Sequence, residues 1–349
     1  MIKPPPKILR RVLLGPAVVG AVSLAVATLP VMVPVAAFVS RYVPGKWRIL
    51  RIIWFLFLYM LVNATSLVAL FLLWVGSGFG WKVDSPAFMQ AHYRLLAWML
   101  RRVVASAKFT FKLTLVREGP RPRTVGQGER RPALVLSRHA GPGDSMLLMD
   151  ALTNGYHRRP RIVLKEFLQW DPAIDVILNR LPCAFVPEGR KGAPVIEAIR
   201  TIAADLGPDD AFVIFPEGGN YTRWRHLRAI EKLTEMGRPD LAERAADLEN
   251  TMPPRSAGVM AALEAAPPKS DVFFVGHAGL EAFLGMGDIW RGMPMDTRVA
   301  VKIWPCPAES IPPAGEQEDW LYDMWAEIDE WITARLADTA EPFDDPAAY

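Results

Sequence analysis

The residues best suited to chemistry are His139 and Asp144, in the stretch Ser137-Arg138-His139-Ala140-Gly141-Pro142-Gly143-Asp144-Ser145. An imidazole can take a proton from an alcohol near neutral pH. A carboxylate on its other nitrogen fixes the tautomer and stabilises the imidazolium that forms. Gly141-Pro142-Gly143 cannot continue a helix, so the chain turns there, and the turn can fold Asp144 back onto His139. A general base acting on a hydroxyl is the chemistry this pair suits. A plainer account fits the same residues: Asp144 caps a helix over Ser145–Leu152, and His139 is an ordinary loop histidine. Ser137 and Ser145 do not offer a nucleophile, because neither lies in a G-x-S-x-G elbow.

A second constellation is Phe215-Pro216-Glu217-Gly218-Gly219-Asn220-Tyr221-Thr222-Arg223. It follows a very apolar run, and a carboxylate at the end of a buried strand is costly without a partner or a task. Gly218 and Gly219 admit a ligand close to the backbone. Asn220, Thr222, Arg223 and Arg225 are all compatible with phosphate. The alternative is a solvated turn before a charged helix. Two further loops place cations beside strand ends, one with Lys165 in Arg161–Phe167 and one with Arg190 in Leu181–Gly192. Either also fits plain surface charge.

The elements that must position these loops alternate. Strands are expected at Ala133–Leu136, Arg161–Leu164, Ala184–Val186, Ala211–Phe215, Val272–Val275 and Val299–Trp304. Helices are expected at Ser145–Leu152, Ala193–Ala204, Trp224–Leu248, Gly258–Ala266 and Gln317–Leu336. Short apolar runs alternating with helical periodicity predict an α/β domain built on a mostly parallel sheet flanked by helices. Functional residues of such folds gather beyond the strand ends.

The N-terminal quarter is different. Of the 349 residues 51% are hydrophobic, and the excess lies in residues 12–39 and 52–76, each long enough to span a bilayer core. The expectation is a hydrophobic helical hairpin over 1–80 that anchors the chain in the cell membrane with its catalytic domain on the cytoplasmic side. Pro16, Pro30 and Pro34 predict kinks or a break. A cleaved signal peptide is disfavoured, because the apolar run far exceeds a signal core of roughly 7–15 residues. Arg41, Lys46, Arg48 and Arg51 make the connecting loop as basic as the N-terminus, which favours a hairpin dipping into one leaflet over two full spans. Residues 81–130 form an amphipathic, basic linker, with a helix from His92 to Ala105. The α/β domain occupies 131–338, and 339–349 is expected to be disordered. A formal net charge of +3 gives no help to nucleic-acid binding. Cys183 and Cys306 make neither a disulfide framework nor a metal site.

Together the four loops resemble the glycerolipid acyltransferase family, whose type member is 1-acylglycerol-3-phosphate acyltransferase. Its H-x-x-x-x-D is similar to His139 to Asp144, and its F-P-E-G-T-R to Phe215-Pro216-Glu217-Gly218 followed by the divergent Gly219-Asn220. Lys165-Glu166-Phe167 resembles the K-x-E-L segment, and Ala184-Phe185-Val186 with a displaced Arg190 resembles the intervening strand. Thr222 and the Pro254-Arg255-Ser256-Ala257-Gly258 element are similar to one branch of the family. Phe273-Phe274-Val275-Gly276-His277 lacks the proline usual there.

The resemblance implies transfer of a fatty acyl group from acyl-CoA or acyl carrier protein to a lysophospholipid hydroxyl. His139 is then the base and Asp144 its orienter, with backbone N–H groups around Gly141–Gly143 for the oxyanion. Glu217, Gly218, Gly219, Asn220, Thr222, Arg223, Lys165, Arg190 and Arg255 hold the acceptor. No metal or resident cofactor is called for, membrane lipids are the partners, and the oligomeric state is left open. The rivals are the same chemistry on a glycolipid or amino-acid lipid, and a silent membrane lipid-binding protein.

Overall fold

The computed structural model describes residues 3–119, 130–141, 143–187, 192–281 and 286–340. Two long apolar helices come first, α1 (Lys7–Ser40) and α2 (Arg48–Gly76), packed against each other as a hairpin. α1 runs on through Pro30 and Pro34, and its departure from α geometry is a π turn at Arg10–Leu14. The kinks or break expected at the prolines are therefore not a break.

α3 (Pro86–Phe111) covers the expected His92–Ala105 helix and extends it at both ends. Its apolar face, with Tyr93, Leu96, Met99 and Val103, packs against Val62 and Leu70 of α2 and against Ala173, Val176 and Ile177 of α5 (Pro172–Leu178). Arg94, Arg101, Arg102 and Lys108 of α3 face solvent.

Polar groups of α2 make the same connection. Asp171 caps α5 by accepting from the amides of Ala173 and Ile174 at 3.0 Å. The same carboxylate accepts from Asn63 Nδ2 at 2.7 Å and from the Tyr59 hydroxyl. One carboxylate thus ties the apolar hairpin to the domain behind it.

Seven strands form one sheet in the order β1-β7-β6-β2-β5-β3-β4. They are β1 (Leu113–Glu118), β2 (Ala133–Ser137), β3 (Arg159–Lys165), β4 (Ala184–Val186), β5 (Asp210–Ile214), β6 (Asp271–Ala278) and β7 (Thr297–Cys306). β2 to β6 run parallel, β7 is antiparallel to β6, and β1 is parallel to β7. The mostly parallel α/β sheet with a preceding helical hairpin is the expected architecture.

Alternation along the strands feeds two faces. Leu134 and Leu136 of β2, Phe212 of β5 and Phe274 of β6 point to the side covered by α6 (Ala193–Ala204), α9 (Ser256–Ala265) and α10 (Gln317–Ala340), where Trp325 is fully buried. Ala133, Val135, Val213 and Val275 point to the other side, which α4 (Asp144–Asp150) and the π turn Ala151–Gly155 cover in part.

Three local expectations need correction. β1 lies inside the segment taken for a linker, so the sheet begins at Leu113. Leu-Thr-Leu-Val-Arg-Glu carries little apolar signal because this edge strand is largely exposed. The helix expected over Trp224–Leu248 is two, α7 (Arg223–Glu235) and α8 (Pro239–Ala246). Gly237 at φ +74° ends the first, and Pro239 opens the second. Helix α5 was not foreseen. Of the expected disordered tail, 341–349 lies outside the described residues.

Asp171→Ala removes the cap of α5 and strands Tyr59 and Asn63 together. Thermal unfolding in detergent should show a loss of about 2–4 kcal/mol, with Asp171→Asn losing less.

Candidate active site

The parallel strands all end on one edge, and the predicted loops meet there. β2 delivers Ser137, Arg138 and His139; β5 runs into Phe215, Pro216 and Glu217; β3 ends at Lys165, and β6 at His277 and Ala278. Gly143, at φ +99°, turns the chain into α4, whose first residue is Asp144.

His139 Nδ1 lies 2.9 Å from Asp144 Oδ2. The same carboxylate accepts from the amides of Ala140 at 2.9 Å, Gly141 at 3.1 Å and Ser145 at 2.5 Å, and from the Ser145 hydroxyl at 3.1 Å. Burial alone raises the Asp144 pKa. The hydrogen bonds and charges of His139 and His277 outweigh it and hold the group well below the usual carboxylate range. Asp144 is therefore an ion. It fixes the proton on Nδ1 of His139 and leaves Nε2 bare to accept one. His139 is part-exposed, and its ring lies against Phe215, centroids 4.9 Å apart. Asp144 is the first residue of the helix, with Gly143 at the N-cap, so it is not the cap that the plainer account expected.

The Gly141 amide is committed to Asp144, and proline has no N–H. The oxyanion donors expected around Gly141–Gly143 are thus largely spent. Pro142 itself lies outside the described residues.

Glu217 is 1% exposed, and neither of its oxygens has a hydrogen-bond partner. Burial pushes its pKa well above the usual range. Arg138 and the His139 amide oppose the shift, neither meeting hydrogen-bond geometry. Burial thus favours the protonated form of Glu217, which can donate.

Over the next two residues the cations close in. A Cβ on Gly218 would meet the Arg255 guanidinium at 2.6 Å, and one on Gly219 would meet Arg225 at 2.2 Å. Arg225 donates to the carbonyl of Asn220 at 2.8 Å, and the Arg255 amide donates to the carbonyl of Pro216 at 2.9 Å. Burial, and then the facing Arg225, lower the Arg255 pKa. Among the described residues Arg255 has no carboxylate partner. Two guanidinia over a glycine pair, unneutralised there, suit an anion.

Other predicted residues are placed differently. Thr222 accepts from the Arg225 amide at 3.3 Å as the N-cap of α7, which is a local structural role. Arg223 is exposed on the first turn of that helix. Lys165 is exposed at the end of β3, on the same edge as the pair. Arg190 lies outside the described residues.

The sequence reading passed over Arg138, Glu281 and His277. Arg138 is buried; its guanidinium binds the carbonyls of His277 and Asn250 and the carboxylate of Glu281. It clamps three segments around His139. A charged residue inside an apolar run next to His139 was the available signal.

Behind the pair lies an apolar cavity of about 240 Å³. It runs along the sheet under α4, lined by Val135, Val275, Val301, Leu148 and Leu152, with Ser137, Asp144 and His277 among its lining residues. From Ser137 down β2 to Ala133 is roughly 13 Å at the strand rise.

Residues 116–275 match the model of the acyltransferase family. They are a domain of the glycerolipid acyltransferase family. The match takes in His139, Asp144 and the Glu217 loop, and it stops short of His277. Comparison with curated proteins and with solved structures gave no match. An acyltransferase of this family moves an acyl group to a lipid, and the two apolar helices are long enough to hold such a domain at a membrane.

The raised pKa of Glu217 has a stability consequence. Its folded pKa is raised, so stability is lost as pH rises from the unfolded value of about 4.3 towards the folded one. Glu217→Gln should therefore be more stable than the parent at pH 8, and the gain should vanish towards pH 4 in pH-resolved thermal unfolding.

Proposed function

We propose that this protein is a membrane-bound O-acyltransferase that moves a fatty acyl group from acyl-CoA or acyl carrier protein to a lysophospholipid hydroxyl. The acceptor best suited is 1-acylglycerol-3-phosphate, which would give phosphatidic acid. The observation that carries this reading is the junction of three parts at one strand edge: the His139–Asp144 pair, the apolar cavity, and the guanidinia of Arg225 and Arg255.

The acyl chain enters the cavity and leaves its thioester beside Asp144 and His277. At about 1.2 Å per backbone bond of an extended chain, the depth along β2 takes roughly eleven chain atoms. The acceptor phosphate binds Arg255 and Arg225, and Glu217 donates to an oxygen of its glycerol. His139 Nε2 takes the hydroxyl proton as the oxygen attacks, and Asp144 stabilises the imidazolium. Arg225 fills the role that the resemblance gives to an arginine where this chain has Asn220.

The hairpin supplies the membrane. The α/β domain holds α2 from Arg48, bonded to the Arg291 and Met293 carbonyls, to Leu70, whose carbonyl accepts from Arg180. That run is roughly 33 Å of helix, as long as the ~30 Å hydrocarbon core is thick. A helix flanked over this length by the charged α3 and by α5 cannot cross the bilayer without carrying them in. The hairpin therefore lies along one leaflet and exposes Trp54, Phe71, Leu72 and Val31 to lipid. The exposed basic residues at its ends, Lys7, Arg41 and Lys46, meet the headgroups of the cytoplasmic leaflet.

Labelled acyl-CoA and acyl carrier protein, each offered with a panel of lysolipids, test the reading. Wild type should acylate 1-acylglycerol-3-phosphate, and His139→Ala should lose transfer by at least about 10³-fold. Transfer that survives in His139→Ala would sink the mechanism. A preference for a lysolipid without phosphate would favour the glycolipid or amino-acid-lipid acceptor. Two variants probe the parts: Arg255→Ala should raise KM for the phosphate acceptor by about tenfold, and Val135→Phe should shift the acyl-chain optimum to shorter chains.

A further inference from the structure

Arg255 stands at the end of an enclosed segment. Thr251, Met252, Pro253 and Pro254 are buried, and the chain reaches the surface at Arg255. The two prolines fix their own φ and restrict the residue before each. The direction in which Arg255 leaves the segment is therefore set by how residues 249–252 are held.

One carboxylate does most of that holding. Asp329, on α10, is 4% exposed. Its Oδ2 accepts from the Glu249 amide at 2.8 Å, and its Oδ1 accepts from the Asn250 amide at 2.9 Å and the Thr251 hydroxyl at 2.8 Å. The Trp325 indole, one turn earlier, donates to the Met252 carbonyl at 3.0 Å, and Asn250 Nδ2 donates to the Thr333 hydroxyl, one turn later, at 2.7 Å. Residues 325, 329 and 333 follow at intervals of four and share one face of α10. That helix lies wholly outside the residues that match the family model.

We propose that Asp329 is a positioning residue of the acceptor site, which holds the segment that carries Arg255 over Gly218, where the guanidinium meets the acceptor phosphate. This role rests on the reading of Arg255 as a phosphate ligand. With no carboxylate partner among the described residues, the Arg255 guanidinium takes its place from the backbone behind it. Other ties run from α10 to the helical insertion, Arg238–Glu318 and Arg244–Asp323, but their side chains are part-exposed or exposed, and salt screens such pairs. The bonds of Asp329 go to main-chain amides and to a fully buried hydroxyl, so they fix the path of the chain itself.

A guanidinium already in place meets the phosphate without an ordering cost, whereas a displaced one weakens binding. The phosphate does not react, so the loss falls on the ground state and the transition state alike: acceptor KM rises and kcat holds.

Asp329→Asn keeps the size of the side chain but turns one accepting oxygen into an NH2 facing a donor. In the full chain in detergent, with rates normalised to the folded fraction at the assay temperature, it should raise KM for 1-acylglycerol-3-phosphate by about fivefold. Its kcat and its KM for the acyl donor should stay within about twofold. Thr251→Val, which removes one of the three bonds at constant shape, should show the same pattern at about threefold, and it carries the test if Asp329→Asn does not fold. Added to Arg255→Ala, either substitution should change acceptor KM by less than about twofold, because the group it places is gone. A full further rise on top of Arg255→Ala, an unchanged acceptor KM in the single variants, or an equal rise for both substrates would overturn the role. Arg255→Ala at the wild-type acceptor KM removes the phosphate reading of Arg255 and the role of Asp329 with it. Arg255→Ala impaired beside an unimpaired Asp329→Asn removes that role alone.

Discussion

The site depends on a carboxylate kept charged in a buried place. An isolated buried carboxylate would take up a proton. Asp144 does not, because the Ala140, Gly141 and Ser145 amides, the Ser145 hydroxyl and His139 Nδ1 all converge on it. These donors come from the loop that carries His139 and from the first turn of the helix that follows. The bonds that hold the ion therefore also fix the shape of the loop, so the geometry of the base and the charge that tunes it have one origin. Glu217, a short way across the site, shows the opposite tendency: without donors, burial pushes its pKa up.

Much of this was legible in the sequence because the signals were local. A helix over Ala193–Ala204 and a strand over Ala184–Val186 fall where their periodicity places them, and the Gly-Pro-Gly turn announces the return of Asp144 to His139. What escaped depends on neighbours distant in the chain. β1 is a strand because β7, almost two hundred residues later, gives it a partner. Arg225 lies over Gly219 because the Thr222 cap starts a helix that turns it back, and side-chain identity alone does not separate it from Arg223. His277 is ordinary in its own strand and becomes notable only where that strand lies beside β2.

The loop after Glu217 follows a different rule from the His139–Asp144 pair. The glycines at 218 and 219 have no side chains to give, and their value is that Arg255 and Arg225 occupy the space instead. A positive face is made there by packing cations against bare backbone, with the helical insertion holding one of them and the Pro254–Arg255 element the other. In the proposed reading a lipid headgroup sits against this face, although the motif arginine is replaced by Asn220.

The bonding between α2 and the domain has a practical meaning for anyone trimming the chain. Val62 and Leu70 belong to the same apolar cluster as α3 and α5, and Asn63 and Tyr59 satisfy the carboxylate that starts α5. Cutting at the end of the apolar hairpin would not free a water-soluble enzyme from its anchor. It would uncover one wall of the enzyme's own interior and leave Asp171 without two of its donors. In this molecule the apolar hairpin and the scaffold are one piece of architecture, and detergent or lipid that shields the outer face of the hairpin leaves the inner one undisturbed.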